Sequence, residues 1–308
     1  MGETVLLRNE SSGDSTKSKR EMEPDGFDRF RVLTTGNLRD YLTAADDIES
    51  RRDRAQSELT ALVHKYLDNS GGVLILTGLP ADPERGERAV LRATRLIGLP
   101  VQQNKEGSLV REVRDRGLSI SQRGRTRYSD SRFGGDLHTD GAEAPLPAPD
   151  VFTLFCVRQT AHGGALQCLH VRDIEAALDP DVVGTLRRPF HFDRRGDQEA
   201  GERPTTAKPV LFTQRGRTAI TYLRSYIEHG HDHPDVPSLR VDQRVALDAL
   251  DTVIATSAAT VTGKLREGEL ALFDNLSLLH GRTEFRDDPG RTRLLLRTWI
   301  RRGMSGPS

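Results

Sequence analysis

The chain has 308 residues, 35% of them hydrophobic and 29% charged, enough for one large folded domain with a substantial core. Its 45 Lys and Arg balance its 45 Asp and Glu, so net charge gives no pull toward nucleic acid or an anionic membrane surface. No apolar run approaches the roughly 20 residues that cross a bilayer, and the opening Met1-Gly2-Glu3-Thr4 lacks the basic and apolar regions of a signal peptide, so a cytoplasmic protein is expected.

Residues 1–26 are polar and Ser-rich and are expected to form a mobile arm, leaving 27–303 as a single domain. Over 45–67, Ile48, Leu59, Leu62, Val63 and Tyr66 recur at helical spacing, and Asn69-Ser70-Gly71-Gly72 ends the pattern. The apolar run Val73-Leu74-Ile75-Leu76 predicts a buried strand, and Asp82-Pro83 supplies a cap and first residue for a helix to 96. The charged segment 107–132 reads as a surface loop, since it lacks aromatic residues for base stacking; Tyr128 and one of its arginines are candidates to line a pocket.

Gly135-Asp136-Leu137-His138-Thr139-Asp140-Gly141 carries the first chemical signal. In an extended segment His138 and Asp140 point the same way, offering an imidazole and a carboxylate to one cation; the bland meaning of such a pair is a surface turn. The proline-rich 143–149 reads as a loop at the mouth of such a site. A strand follows over 150–159, with Arg158 at its end either meeting a buried anion or reaching solvent. A strand at 166–169, a helix from 171 to 178 and a hairpin turning at Gln214-Arg215-Gly216-Arg217 come next. Cys156 and Cys168 lie in apolar contexts and are expected to be buried, reduced thiols.

His229, His231 and His233 alternate before Pro234 and Pro237. They read as an exposed loop, with a second metal site as the sharper alternative. An amphipathic helix is expected over 240–257, then a turn at Glu267-Gly268-Glu269 into a strand delivering Asp274-Asn275 and His280. His280 is the best third partner for His138 and Asp140. Two histidines and a carboxylate with open positions are the ligand set of non-haem Fe(II) oxygenases, though Zn2+ hydrolases use similar donors. In the last strand Arg293, Leu295, Arg297 and Trp299 share one face and Leu294, Leu296, Thr298 and Ile300 the other. An arginine facing a sheet interior calls for an anion, and a guanidinium fits a carboxylate with two hydrogen bonds.

His138-x-Asp140, a distant Asp274-Asn275 and His280, then an arginine 13 residues on and another four beyond it, resemble the Fe(II)/2-oxoglutarate dioxygenases of the taurine dioxygenase and clavaminate synthase-like superfamily. The resemblance spans about 72–301. It implies a mainly β core within an α+β chain, a double-stranded β-helix or jelly roll of the cupin type with flanking helices and insertions. It also implies His138, Asp140 and His280 as iron ligands, Arg293 on the distal carboxylate of 2-oxoglutarate, and Arg297 on the substrate.

One position departs from the family: the residue 28 beyond the first histidine is Leu166 instead of threonine, which leaves Gln167 or a backbone group to make that co-substrate contact. Arg297, Tyr128 and Arg158 are the substrate-binding candidates, and pairing of Arg297 with a protein carboxylate such as Glu143 is its alternative role. The implied activity is oxidation of a small polar or anionic metabolite, an amino acid or natural-product intermediate, with Fe(II), 2-oxoglutarate and O2. Hydroxylation is the default, with desaturation, epoxidation and demethylation open. Retention of Asp140 disfavours halogenation. A non-catalytic, cupin-like metal-binding protein is the rival from another class.

Overall fold

The computed structural model describes residues 25–46, 49–104, 106–117 and 128–303, without the side chain of Tyr128. Almost all of the expected N-terminal arm, the loop arginines Arg123, Arg125 and Arg127, and any contact of Tyr128 lie outside the described residues.

Two sheets face each other. The larger has seven strands, in the order Arg31–Leu33, Val73–Thr77, Leu270–Asp274, Val151–Arg158, Leu294–Arg301 and Leu99–Val101, with Arg111–Val113 also pairing onto Leu294–Arg301. The smaller orders Val261–Gly263, Leu166–His170, Leu278–Arg282 and Gly135–His138. Apart from the parallel pair at the edge of the larger sheet, the ladders of both sheets are antiparallel.

Strand alternation builds the layers. In Leu294–Arg301, Leu294, Leu296 and Ile300 face outward onto the helices Gly36–Thr43, Arg52–Val63 and Pro83–Ile97, while Leu295 and Trp299 face the smaller sheet. Leu166, Cys168 and Leu278 answer them from the smaller sheet, closing an inner core. Behind the smaller sheet, Leu169 and Leu279 pack on a third layer containing the helices Val171–Ala177, Arg224–His231 and Val241–Thr256 and two hairpins. A fully buried leucine in such a layer, Leu272 for example, contributes roughly 1.5–3 kcal/mol relative to leaving it exposed. Burial pushes the Cys156 and Cys168 thiols up to about 12, so both are reduced and protonated at neutral pH.

The helix expected over 45–67 is Arg52–Val63, extended by a wider turn to Asp68 and preceded by the separate helix Gly36–Thr43. Asp82 does cap Pro83–Ile97, accepting from the Arg85 backbone N–H at 2.9 Å. The triple-histidine loop is corrected: His229 and His231 close the helix Arg224–His231. His231 is buried, its Nδ1 2.6 Å from the Pro237 carbonyl and its Nε2 accepting from the His191 backbone at 3.1 Å. Both ring nitrogens are thus engaged by backbone groups and are unavailable as metal ligands.

Candidate metal centre and its cavity

The short strand Gly135–His138 pairs antiparallel with Leu278–Arg282, and this register makes His138 and His280 direct partners, their rings 4.6 Å apart. Two segments 142 residues apart in sequence are thereby held by one ladder. Asp140 lies just beyond the strand end. Asn275 clamps that turn from both sides, accepting from the Asp140 backbone N–H at 2.9 Å and donating to the Asp140 carbonyl at 2.9 Å.

One donor atom from each of His138, Asp140 and His280 lies within 4.8 Å of the others; among the described residues they are the sole such group. Asp140 Oδ1 stands 3.9 Å from His138 Nε2 and 3.8 Å from His280 Nε2, beyond hydrogen-bond range and spaced for a shared cation. Burial, helped by His138 and opposed by Asp140, pushes the His280 imidazole down to about 3, so it is neutral with a free lone pair. Burial alone would raise Asp140, but the Arg297 guanidinium, the two imidazoles and the Trp299 indole outweigh it and hold the carboxyl at about 2. The Nδ1 of His138 lies 2.7 Å from the Asp136 carbonyl, which favours the tautomer with the proton on Nδ1 and turns the Nε2 lone pair to Asp140. Two imidazole nitrogens and one carboxylate oxygen therefore fit a divalent transition metal.

The triad opens into a cavity of about 80 Å3 between the sheets, whose apolar walls include Phe152, Leu154, Leu166 and Leu295. Arg293 lines it and is 1% exposed. Its Nε donates to Gln159 Oε1 at 3.0 Å, its guanidinium lies 5.0 Å from the Phe285 ring centre, and its Nη1 has no partner. Burial, reinforced by the neighbouring Arg282, lowers Arg293 to about 9, so it stays charged at neutral pH. An unanswered buried charge costs several kcal/mol, so this guanidinium is a standing demand for an anion. Gly164, at φ +73°, makes room for it: a Cβ there would come within 3.2 Å of the Arg293 Nε.

The other candidates fall out as follows. Arg297 lines the cavity and donates through Nη1 to both Asp140 oxygens, at 3.1 and 3.2 Å, which pairs it with a protein carboxylate, that of the candidate metal triad. Gln167 is corrected: it alternates to the opposite side of its strand from Leu166, and Leu166 is the one that lines the cavity. Arg158 also lies off the cavity, its Nε donating to the Thr292 carbonyl at 3.0 Å, in keeping with an arginine at a strand end.

Three partners were not among the site residues predicted from sequence. Trp299 Nε1 donates to Asp140 Oδ2 at 2.7 Å. Gln103 accepts from Arg297 Nε at 2.8 Å and returns a bond to the Arg297 carbonyl at 2.8 Å, across 194 residues. Phe152 lies against His280, ring centres 4.1 Å apart. Only Trp299 was traceable, as the indole on the same strand face as Arg293 and Arg297.

Over residues 37–299 the chain matches the family described as taurine catabolism dioxygenase TauD, TfdA family. The chain belongs to that family of dioxygenases. The FR-33289 synthase of Streptomyces rubellomurinus (strain ATCC 31215) is 25% identical over 324 aligned positions, covering 96% of this chain and 91% of that one. The fold is also that of an asparagine oxygenase solved with Fe(II), 2S,3S-3-hydroxyasparagine and succinate, at TM-score 0.65 and 23% identity over 88% of this chain and 93% of that one. The non-heme iron oxygenase OrfP, solved with Fe and alpha-ketoglutaric acid, superposes at TM-score 0.66 and 19% identity, covering 88% and 93%. No helix among the described residues is long and apolar enough to cross a membrane.

Proposed function

We propose that this TauD/TfdA member is an Fe(II)- and 2-oxoglutarate-dependent oxygenase that hydroxylates an unactivated C–H bond of a small polar or anionic metabolite, an amino acid or natural-product intermediate. One observation carries the reading: a buried, charged guanidinium with a free Nη1, that of Arg293, shares a cavity with the two imidazoles and one carboxylate of His138, His280 and Asp140. A metal held by His138, Asp140 and His280 would supply O2-driven oxidation of the substrate, coupled to conversion of 2-oxoglutarate to succinate and CO2.

The chain's own part is positional. His138 and His280 present imidazole nitrogens, that of His280 neutral, and Asp140, kept ionised by Arg297 and Trp299, supplies the negative charge a cation needs. Arg293 takes the distal carboxylate of 2-oxoglutarate, while Phe152, Leu154, Leu166 and Leu295 keep water from the reacting atoms. With Asp140 present, the ligand position that a halide would need is filled. The two facing sheets are read as a double-stranded β-helix, and 27–303 as one catalytic domain working in the cytoplasm on a small molecule. The relatives' names, a natural-product synthase and amino-acid oxygenases, support the substrate class.

Anaerobic optical titration of the Fe(II)-loaded protein with 2-oxoglutarate tests the reading. A weak, saturable visible charge-transfer band is expected, lost in His280→Ala and reached only at higher concentration in Arg293→Ala. The absence of a band in folded, iron-loaded wild-type protein would sink the oxygenase reading and leave a metal-binding protein without this co-substrate.

A further inference from the structure

The acceptor that meets the Arg293 guanidinium is neutral. Gln159 follows the last residue of the strand Val151–Arg158, and its Oε1 accepts from Arg293 Nε at 3.0 Å. Three carboxylates belong to the same corner, and each is engaged elsewhere. Asp287 Oδ1 accepts from the Arg293 backbone N–H at 2.8 Å, Asp288 Oδ2 from the Ala161 backbone at 3.2 Å, and Glu267 Oε1 from the Gln159 backbone at 3.1 Å while pairing with Arg291. Asp287 does favour the charged guanidinium, but burial outweighs it.

The Gln159 amide cannot turn over. Arg293 Nε and the Thr160 backbone N–H, the latter 3.2 Å away, can only donate, and both reach Oε1; the Leu265 carbonyl can only accept, and it takes Nε2 at 2.8 Å. One orientation satisfies all three. Gly164 leaves this bond its space, since a Cβ there would lie 3.2 Å from Arg293 Nε and 3.5 Å from Gln159 Oε1. A guanidinium is planar, so holding Nε fixes where its Nη atoms lie. Nη1 is left without a partner on a residue that lines the cavity.

We infer that Gln159 is a positioning residue of the co-substrate site: it aims Arg293 through a neutral acceptor and so keeps the guanidinium's charge for the distal carboxylate of 2-oxoglutarate. The inference rests on the oxygenase reading above. An amide and a carboxylate have nearly the same shape but leave different charges behind. A glutamate at this position would hold Nε equally well and would also answer its charge, so the incoming carboxylate would meet a pair already neutralised.

The test measures 2-oxoglutarate binding to the Fe(II)-loaded wild type, Gln159→Glu and Gln159→Met by the same anaerobic band, with thermal unfolding of each metal-free protein beside it. Gln159→Glu keeps an acceptor for Arg293 Nε and Thr160 and is expected to weaken binding about tenfold or more. Gln159→Met strips Arg293 Nε, the Thr160 N–H and the Leu265 carbonyl of their partner. It is expected to be the less stable of the two and yet to weaken binding less, about threefold. The better-folded variant thus binds worse, an order that a merely structural role does not produce. Because the glutamine acts through the arginine, Gln159→Met is also expected to cost nothing further in an Arg293→Ala background. Affinity losses that rank with the losses of stability, or an equal loss from Gln159→Met with and without Arg293, would overturn the inference. The wild-type band keeps the two questions separate: its presence upholds the oxygenase reading whatever the Gln159 variants do.

Discussion

Asp140 receives donors from two residues at its carboxylate, Arg297 and Trp299, and a third, Asn275, holds its backbone. Such partners orient a metal ligand and fix its charge, and losing one from a metal site typically costs about 10–100-fold in affinity. Trp299→Phe keeps the ring packing and deletes the single N–H. Fe(II) affinity, read by competition with a chelator, is expected to fall by at least about tenfold, with little change in thermal stability of the metal-free protein. The triad and Arg293 were legible from sequence because their chemistry is local: an i, i+2 pair, then a strand whose alternation gathers its arginines. Gln103 was not, since nothing at position 103 announces a partner 194 residues away. Arg297 looked like a substrate group for the same reason: its answering carboxylate is brought to it by the fold.

At the level of elements, runs of one period were readable and packing distances were not. Strands Val73–Thr77, Val151–Arg158 and Leu270–Asp274 follow from their continuous apolar character, as does the alternation of Leu294–Arg301. The segment around His229 and His231 misled because prolines just downstream suggested a loop, whereas the capture of the His231 ring by Pro237 and His191 closes a helix there. Two helical glycines illustrate how packing decides. A Cβ on Gly86 would lie 2.4 Å from Phe155, at the face where Pro83–Ile97 meets the large sheet, while one on Gly184 would meet nothing within 4 Å. Chemical denaturation should therefore find Gly86→Ala destabilised by about 1–3 kcal/mol. Gly184→Ala should be stabilised by about 0.5–1 kcal/mol.

For the whole molecule, two desolvated histidines, the half-buried His170 and the buried His280, set the acid limit. Burial takes His170 from 6.5 down to about 4 and His280 from 6.5 down to about 3. Both are neutral in the fold, whereas the unfolded chain takes up their protons below pH ~6.5. Stability is thus complete above that pH and is lost as pH falls toward 4, because the unfolded state binds more protons there. Urea unfolding of the metal-free protein should show this decline. His170 Nδ1 also accepts the Arg172 backbone N–H at 3.0 Å as a helix cap, so His170→Asn keeps an acceptor without the titration and should flatten the slope between pH 6.5 and 4. The overall charge balance hides a local surplus of the opposite kind. The chain carries as many acidic as basic residues, yet the described residues around the cavity include three arginines, Arg282, Arg293 and Arg297, and one carboxylate, Asp140. With Arg297 on Asp140, the buried Arg293 and its unpartnered Nη1 leave positive charge in the chamber before any cation arrives, and a divalent metal would add to it. The enclosure is in effect an anion exchanger walled in hydrocarbon. A doubly negative co-substrate should enter it faster at low ionic strength, and it offers a negatively charged metabolite a welcome that a neutral one of the same shape would not receive.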